Sequence, residues 1–220
     1  YGAEALLRWN HPVAGYIAPP LIIQLASESG QLQALGNFIL EKACTDIQKM
    51  NRVSDQSLRV SVNISPSQLE QKDWSRHVLD LLSHYDFGKK QMVFEFTERV
   101  FLDHSEKVTG ELENIRRNGI EISMDDFGMG HGSMVYLQDY FFEEVKLDGR
   151  LVRQLVDNER SRNIVSGIVD MAQTLKFHVV AEFVETEEQR DLLKEMGCKV
   201  FQGYYYGRPV PPEEFIKTYL

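Results

Sequence analysis

"SEKVTGELENIRRNGIEISMDDFG", residues 105–128, holds both halves of a repeating unit. From Ser105 to Arg117 apolar residues return at three-to-four spacing, the period of an amphipathic helix. Asn118–Gly119 then punctuates the chain as a helix C-cap and turn do. Residues 120–126, IEISMDD, follow as a β-rich run ending on two adjacent aspartates, and the alternating glycines of GMGHG come directly after Phe127.

The alternation recurs along the chain. Further β-like runs are AEALLRW (3–9), LRVSVNIS (58–65), MVFEFTE (92–98), FEEVKLD (142–148), FHVVAEFVE (177–185) and CKVFQGYYY (198–206). Helical patterns cover Pro19 to Ser29, Ala34 to Met50, Trp74 to Tyr85, Arg160 to Leu175 and Glu187 to Met196. Strands alternating with helices across short links predict a parallel sheet covered by helices. Seven β-like runs predict a TIM-like (β/α)8 barrel rather than an open sheet. Such a barrel wants eight strands and roughly 250 residues, about one strand more than this chain supplies. The opening YGAEALLRW starts as a strand already under way, which places the missing strand ahead of it. A doubly wound open sheet is the alternative, but no GxGxxG follows the first run.

Hydrophobic residues make up 43% and charged residues 26% of the 220, the balance of a soluble globular domain. No apolar run is long enough to span a membrane, and no basic n-region opens the chain. The expected location is cytoplasmic for the domain, within a full-length protein that can carry a membrane anchor. A net charge of −9 argues against binding a nucleic-acid polymer, while leaving room for a small phosphate ligand held through metal ions. Cys44 and Cys198 stand far apart in apolar settings, so two buried free thiols and a reducing compartment are expected. No CxxC or HExxH spacing points to zinc.

Each β-like run delivers a polar group: Glu4, Asn63, Glu95, Asp125 with Asp126, Lys146, Glu182 and Gln202. Singly, each has an ordinary reading as a solvated strand glutamate, an edge lysine or a capping amide. Together they are unusual, because the strand ends of a parallel barrel are where its active site lies. Five acids gathered there need compensation that one lysine cannot supply, and divalent cations can. Oxygen ligands with a single amide favour Mg2+ or Mn2+. Successive strand residues face opposite ways, so Asp125 and Asp126 reach one site only if the strand breaks between or after them. The glycines of GMGHG would permit that break. Asp125 would then bridge two ions and Asp126 bind the second, the two-metal device of displacement at phosphorus, with Lys146 helping to place the attacking water.

At these residues the chain resembles the EAL domain family, the cyclic di-GMP phosphodiesterase domain of bacterial signalling proteins. EALLRW (4–9), HPVAGYIAPPLII, VNIS, FEFTE, DDFG, VKLD, VVAEFVET and QGYYYGRP match the family's blocks in order and spacing over the whole chain. The resemblance implies a TIM-like (β/α)8 barrel of the EAL type whose first strand is antiparallel, with that strand missing ahead of Tyr1. Residues 1–220 would then be one phosphodiesterase domain, incomplete at its N-terminus. It implies two ions per active site, Mg2+ or Mn2+. Glu4, Asn63, Glu95 and Asp125 hold one, and Asp125 and Asp126 the other. Lys146 contacts the nucleophilic water and Glu182 supports the network. Gln202 reaches the ligand, Arg8 the phosphate, and Leu6 packs near a guanine. Glu98 and Glu185 steady the loop after DDFG. The implied reaction opens one phosphodiester of cyclic di-GMP to give linear 5'-pGpG. A homodimer and regulatory domains in a longer chain are family expectations.

The chain departs from the family pattern in that loop, where Met129, His131 and Gly132 replace a threonine, a tyrosine and a serine. Phe183 stands where the family has glycine, beside Glu182. None of these changes removes a ligand. The alternative is a weak or inactive domain that serves as a cyclic di-GMP receptor or a protein-interaction module.

Overall fold

The computed structural model describes residues 2–54, 58–86, 88, 90–102, 105–128 and 133–220. The expectations for Met129, His131 and Gly132 lie outside the described residues. In chain order the elements are β1 (Gly2–Ala5), β2 (Trp9–His11), β3 (Gly15–Ile17), α1 (Pro19–Glu28), α2 (Leu32–Val53) and β4 (Arg59–Asn63). Then come α3 (Pro66–Leu69), α4 (Trp74–Leu82), β5 (Met92–Thr97), a 3-10 turn (Glu98–Leu102), α5 (Glu106–Arg117) and β6 (Glu121–Phe127). The chain continues through α6 (Ser133–Asp139), β7 (Glu144–Leu147), α7 (Gly149–Arg153) and α8 (Glu159–Leu175). It ends with β8 (His178–Ala181), α9 (Glu187–Glu195), β9 (Val200–Phe201) and α10 (Pro212–Tyr219).

Among the described residues seven strands form one sheet in the order β1-β4-β5-β6-β7-β8-β9, and β2 pairs with β3 apart from it. β1 runs parallel to β4, and β6, β7, β8 and β9 run parallel in succession. Chain contacts divide the molecule into two units. One comprises Tyr1–Phe94, Glu106–Ile120 and Pro211–Leu220, the other Glu95–Ser105 and Glu121–Val210.

In the first unit α2 buries Leu40, Ala43, Cys44, Ile47 and Met50, one stripe of a 3.6-residue period. Val108, Leu112 and Ile115 do the same for α5, whose course ends before Gly119 at φ +88. Each valine, leucine, isoleucine or methionine among them, fully removed from water, contributes about 1.5–3 kcal/mol before the entropy of ordering is counted. The β-like run 3–9 divides: β1 stops at Ala5, and Trp9 opens the β2–β3 hairpin. Leu6, Leu7 and Arg8 form the connection. The hairpin turn is held by the His11 ring, whose Nδ1 accepts from Val13 N at 3.1 Å and Ala14 N at 3.0 Å.

In the second unit β7 is buried at all four positions, the habit of a parallel strand covered on both faces. Val165, Ile168, Val169 and Ala172 form the buried stripe of α8, and Asn158 caps that helix by accepting from Arg160 N and Ser161 N. Phe101 meets the ring of Phe142 edge-on at 4.9 Å and that of Phe96 at 6.3 Å. Thr186 and Gln189 close a reciprocal capping box at the start of α9. Among the described residues no helix is long and apolar enough to cross a membrane.

Candidate active site

The acid pair is where β6 loses its regularity. Met124 pairs with Val145 and Phe127 with Leu147, so three steps along β6 match two along β7. The extra residue is a β-bulge, which sets Asp125 and Asp126 together opposite the single position of Lys146. Asp126 takes the left-handed conformation at φ +59, and its N–H donates to Asp125 Oδ1 at 2.9 Å. An aspartate tolerates that conformation better than most residues because its short polar side chain bonds locally. The break between the two aspartates therefore falls on Asp126 itself, ahead of the glycines to which the sequence pattern assigned it.

Lys146 stands between Val145 and Leu147 on β7 with only 2% of its surface exposed. Its Nζ lies 3.0 Å from Glu95 Oε1, 2.8 Å from Glu182 Oε1 and 4.0 Å from Asp125 Oδ1. Glu95 comes from the buried second half of β5, and Glu182 follows directly on the last residue of β8. An ammonium buried this deeply is sustained by its carboxylates, and removing one partner of such a pair costs about 3–5 kcal/mol. Among the described residues three carboxylates face this one ammonium.

The segment after β8 is tied to the one after β9. Gln202 N donates to Ala181 O at 2.8 Å, and Gln202 O accepts from Val184 N at 3.0 Å. Tyr205 N donates to Val184 O at 3.0 Å. Gly203 is required there, since a Cβ would fall 2.2 Å from Val184 O. Gln202 is thereby fixed beside the strand that delivers Glu182. Glu185 N donates to Gln189 Oε1 at 2.8 Å, while the Glu185 side chain is exposed. Glu98 opens the 3-10 turn, and its charge adds to burial in raising the phenol of Tyr136 on α6 above its ordinary value.

In the first unit Asn63 Nδ2 donates to Glu4 Oε1 at 2.8 Å, so the amide and the carboxylate from neighbouring parallel strands are joined. Leu6 is 38% exposed, and the exposed Arg8 guanidinium donates to Leu7 O at 2.8 Å.

Two residues of the second unit carry more than their local sequence signals. Asp148, buried, caps α7 by accepting from Arg150 N at 2.7 Å and also holds the Arg150 guanidinium. That guanidinium keeps the Asp148 carboxyl below the usual carboxylate range against the opposing effect of burial. Asp126 adds to Asp148 in holding Arg150 protonated, so the bulge and the start of α7 share one field. Phe183 is the other, a side-chain-bearing residue at φ +55. Such a backbone costs about 1–3 kcal/mol and persists where surrounding structure over-determines it.

Among the described residues no three Asp, Glu, His or Cys side chains gather at one point in a way that would hold an ion. In the second unit the carboxylates converge on Lys146. Their hard oxygen donors are nonetheless of the kind that suits a divalent cation of the Mg2+ or Mn2+ type.

In the second unit the neighbouring strands β5, β6 and β7 and the residue after β8 bring acids around one buried lysine, which defines an α/β class with polar chemistry carried by its strands. The chain belongs to the EAL domain family, whose model matches residues 1–209. It is 33% identical over 219 residues to the cyclic di-GMP phosphodiesterase NbdA of Pseudomonas aeruginosa, covering 98% of this chain and 28% of that one. It is 36% identical over 220 residues to the signaling protein YkoW of Bacillus subtilis, covering 97% and 27% respectively. Its fold is that of the solved PaMucR phosphodiesterase in complex with c-di-GMP: TM-score 0.88, 32% identity, 96% of this chain and 86% of that one. The α/β class of the EAL type expected from the sequence is therefore the observed one. The chain spans little more than a quarter of the length of these curated relatives.

Proposed function

We propose that this chain is a metal-dependent cyclic di-GMP phosphodiesterase that opens one phosphodiester to give linear 5'-pGpG. The observation that carries the reading is Lys146, 2% exposed and held at 3.0 Å by Glu95 and 2.8 Å by Glu182 beside the Asp125–Asp126 bulge. A family resemblance over residues 1–209 and relatives named as cyclic di-GMP phosphodiesterases support it.

Within the proposal, Glu4, Asn63, Glu95, Asp125 and Asp126 would hold two divalent ions, Mg2+ or Mn2+. When bound, such ions polarise the phosphoryl group and lower the pKa of water. The residues do the rest. Glu182 and Glu95 fix the Lys146 ammonium, and an ammonium so fixed orients a water or a phosphoryl oxygen beside it without reorganisation during the reaction. Asp126 is kept beside Asp125 by the bulge. Arg8 serves a substrate phosphate, and Leu6 and Gln202 serve the rest of the dinucleotide. Glu98 and Glu185 support the loop that follows β6. Homodimerisation and control by further domains of a longer protein that can carry a membrane anchor belong to the same reading, as does work in the cytoplasm.

One observation favours the alternative of a receptor that binds without hydrolysis: Phe183 at φ +55 loads strain beside Glu182. Chromatography of cyclic di-GMP after incubation with the chain and Mn2+, with a chelator control, separates the two. Metal-dependent 5'-pGpG, lost in Asp125→Ala, is the expected result. Turnover that survives excess chelator would sink the two-metal reading, and binding with no product would establish the receptor.

A further inference from the structure

Phe183 follows Glu182 directly, and its backbone sits at φ +55. Its neighbours are tied down: Val184 is bonded through N and O to the segment after β9, and Glu185 and Thr186 donate to Gln189 Oε1. The Phe183 ring reaches the other way, onto α7. The Arg153 guanidinium lies 4.4 Å from the ring centroid. Gly149, one turn earlier, approaches so closely that a Cβ there would fall 2.2 Å from Phe183 Cδ2. Helix α7 is anchored by Asp148, two residues beyond Lys146. The chain therefore closes a circuit from Lys146 through Asp148 and α7 to the ring of Phe183, then through Glu182 back to Lys146 at 2.8 Å.

We infer that Phe183 is a positioning residue whose ring, seated on Gly149 and Arg153, clamps the left-handed backbone after β8 and so sets the Glu182 carboxylate on Lys146. A glycine would accept this backbone without strain. A phenylalanine holds it only while the ring is held in turn. Phe183 as a residue is 44% exposed, so the rival role is a direct contact with substrate. The two roles differ in what they move. A clamp acts on the chemical step, whereas a contact made equally before and during reaction acts on KM.

The kinetic arm of the test rests on the phosphodiesterase reading. It measures kcat and KM for cyclic di-GMP with Mn2+ in wild type, Phe183→Ala, Phe183→Tyr, Gly149→Ala, Phe183→Gly and Gly149→Ala with Phe183→Gly. Phe183→Ala is expected to lower kcat about tenfold or more with KM within about twofold, because a small misplacement of a reacting group is costly. Phe183→Tyr, which keeps the ring, restores kcat. Gly149→Ala reproduces the loss, and adds nothing in the Phe183→Gly background, where its methyl meets no ring. The structural arm compares crystals of wild type and Phe183→Ala, or Gly149→Ala, whose methyl displaces the ring, should Phe183→Ala not fold. Glu182 Oε1 should leave Lys146 in the variant. A Glu182–Lys146 contact unchanged from 2.8 Å overturns the clamp, as does a rise in KM at constant kcat. A wild type without turnover overturns the phosphodiesterase reading, and the crystals then decide the clamp alone.

Discussion

Lys146 shows how one side chain draws meaning from three others. A lysine inside a strand is ordinarily an edge or snorkelling residue. Here it is 2% exposed, and Glu95 and Glu182 both reach it. Replacing it with methionine keeps much of its volume but leaves two carboxylates facing an apolar group. Lys146→Met is expected to destabilise the fold by about 3–5 kcal/mol, read as a lower midpoint in urea unfolding. Under the proposed function it also reduces turnover by about a hundredfold or more. A variant as stable as wild type would show that the acids give up their charge when the ammonium is removed. The sequence displayed the lysine and its acids but not the distances between them, since they come from strands far apart along the chain.

At the scale of elements, the short helix α7 links the site to its support. Its N-cap Asp148 is buried and carries the Arg150 guanidinium, which holds the carboxyl below its ordinary value. A depressed folded value makes the contribution of this pair full above the unfolded value of about 3.9 and lost as pH falls through the folded one. Asp148→Asn keeps a capping oxygen and removes the charge. Its stability relative to wild type should be lower by a constant amount above about pH 5, the gap closing as pH drops below about 4. Urea midpoints taken across that range measure it, and a gap that widens toward acid would contradict the pairing. Helix α7 escaped the sequence pattern because its five residues are too few to show a period. The longer α2, α5, α8 and α9 were legible to within a few residues. The β-like run 177–185 was read too long: β8 stops at Ala181 because the left-handed turn at Phe183 takes the backbone out of the ladder.

At the scale of the whole molecule, burial governs reactivity. Cys44 and Cys198 are free and buried, and burial pushes their thiols up to about 12 and about 11. The thiolate is the reactive form, so neither should react with a disulfide reagent at pH 8 in the native chain, and both should react after denaturation. Prompt colour from the folded protein would show that one of these cores opens. Metal binding has a global readout as well. A ligand that binds only the folded state stabilises it by about 2.7 kcal/mol at a hundred times its dissociation constant. Mn2+ should therefore raise the melting temperature, with chelator reversing the shift. An unchanged melting temperature at millimolar Mn2+ would count against the proposed ions.

By itself the sequence determined the alternation of strands and helices, and with it the α/β class, because periodicity is a property of neighbouring residues. It also determined which polar groups the strands deliver, since strand ends follow from where the apolar runs stop. Only the tertiary structure decided how those groups meet. One inserted residue in the pairing of β6 with β7 sets Asp125 and Asp126 side by side, and a register shift of that size leaves no mark on local composition. The left-handed backbone of Phe183 runs against its intrinsic preference, and is held through its contacts with Gly149 and Arg153, which lie far from it in the chain.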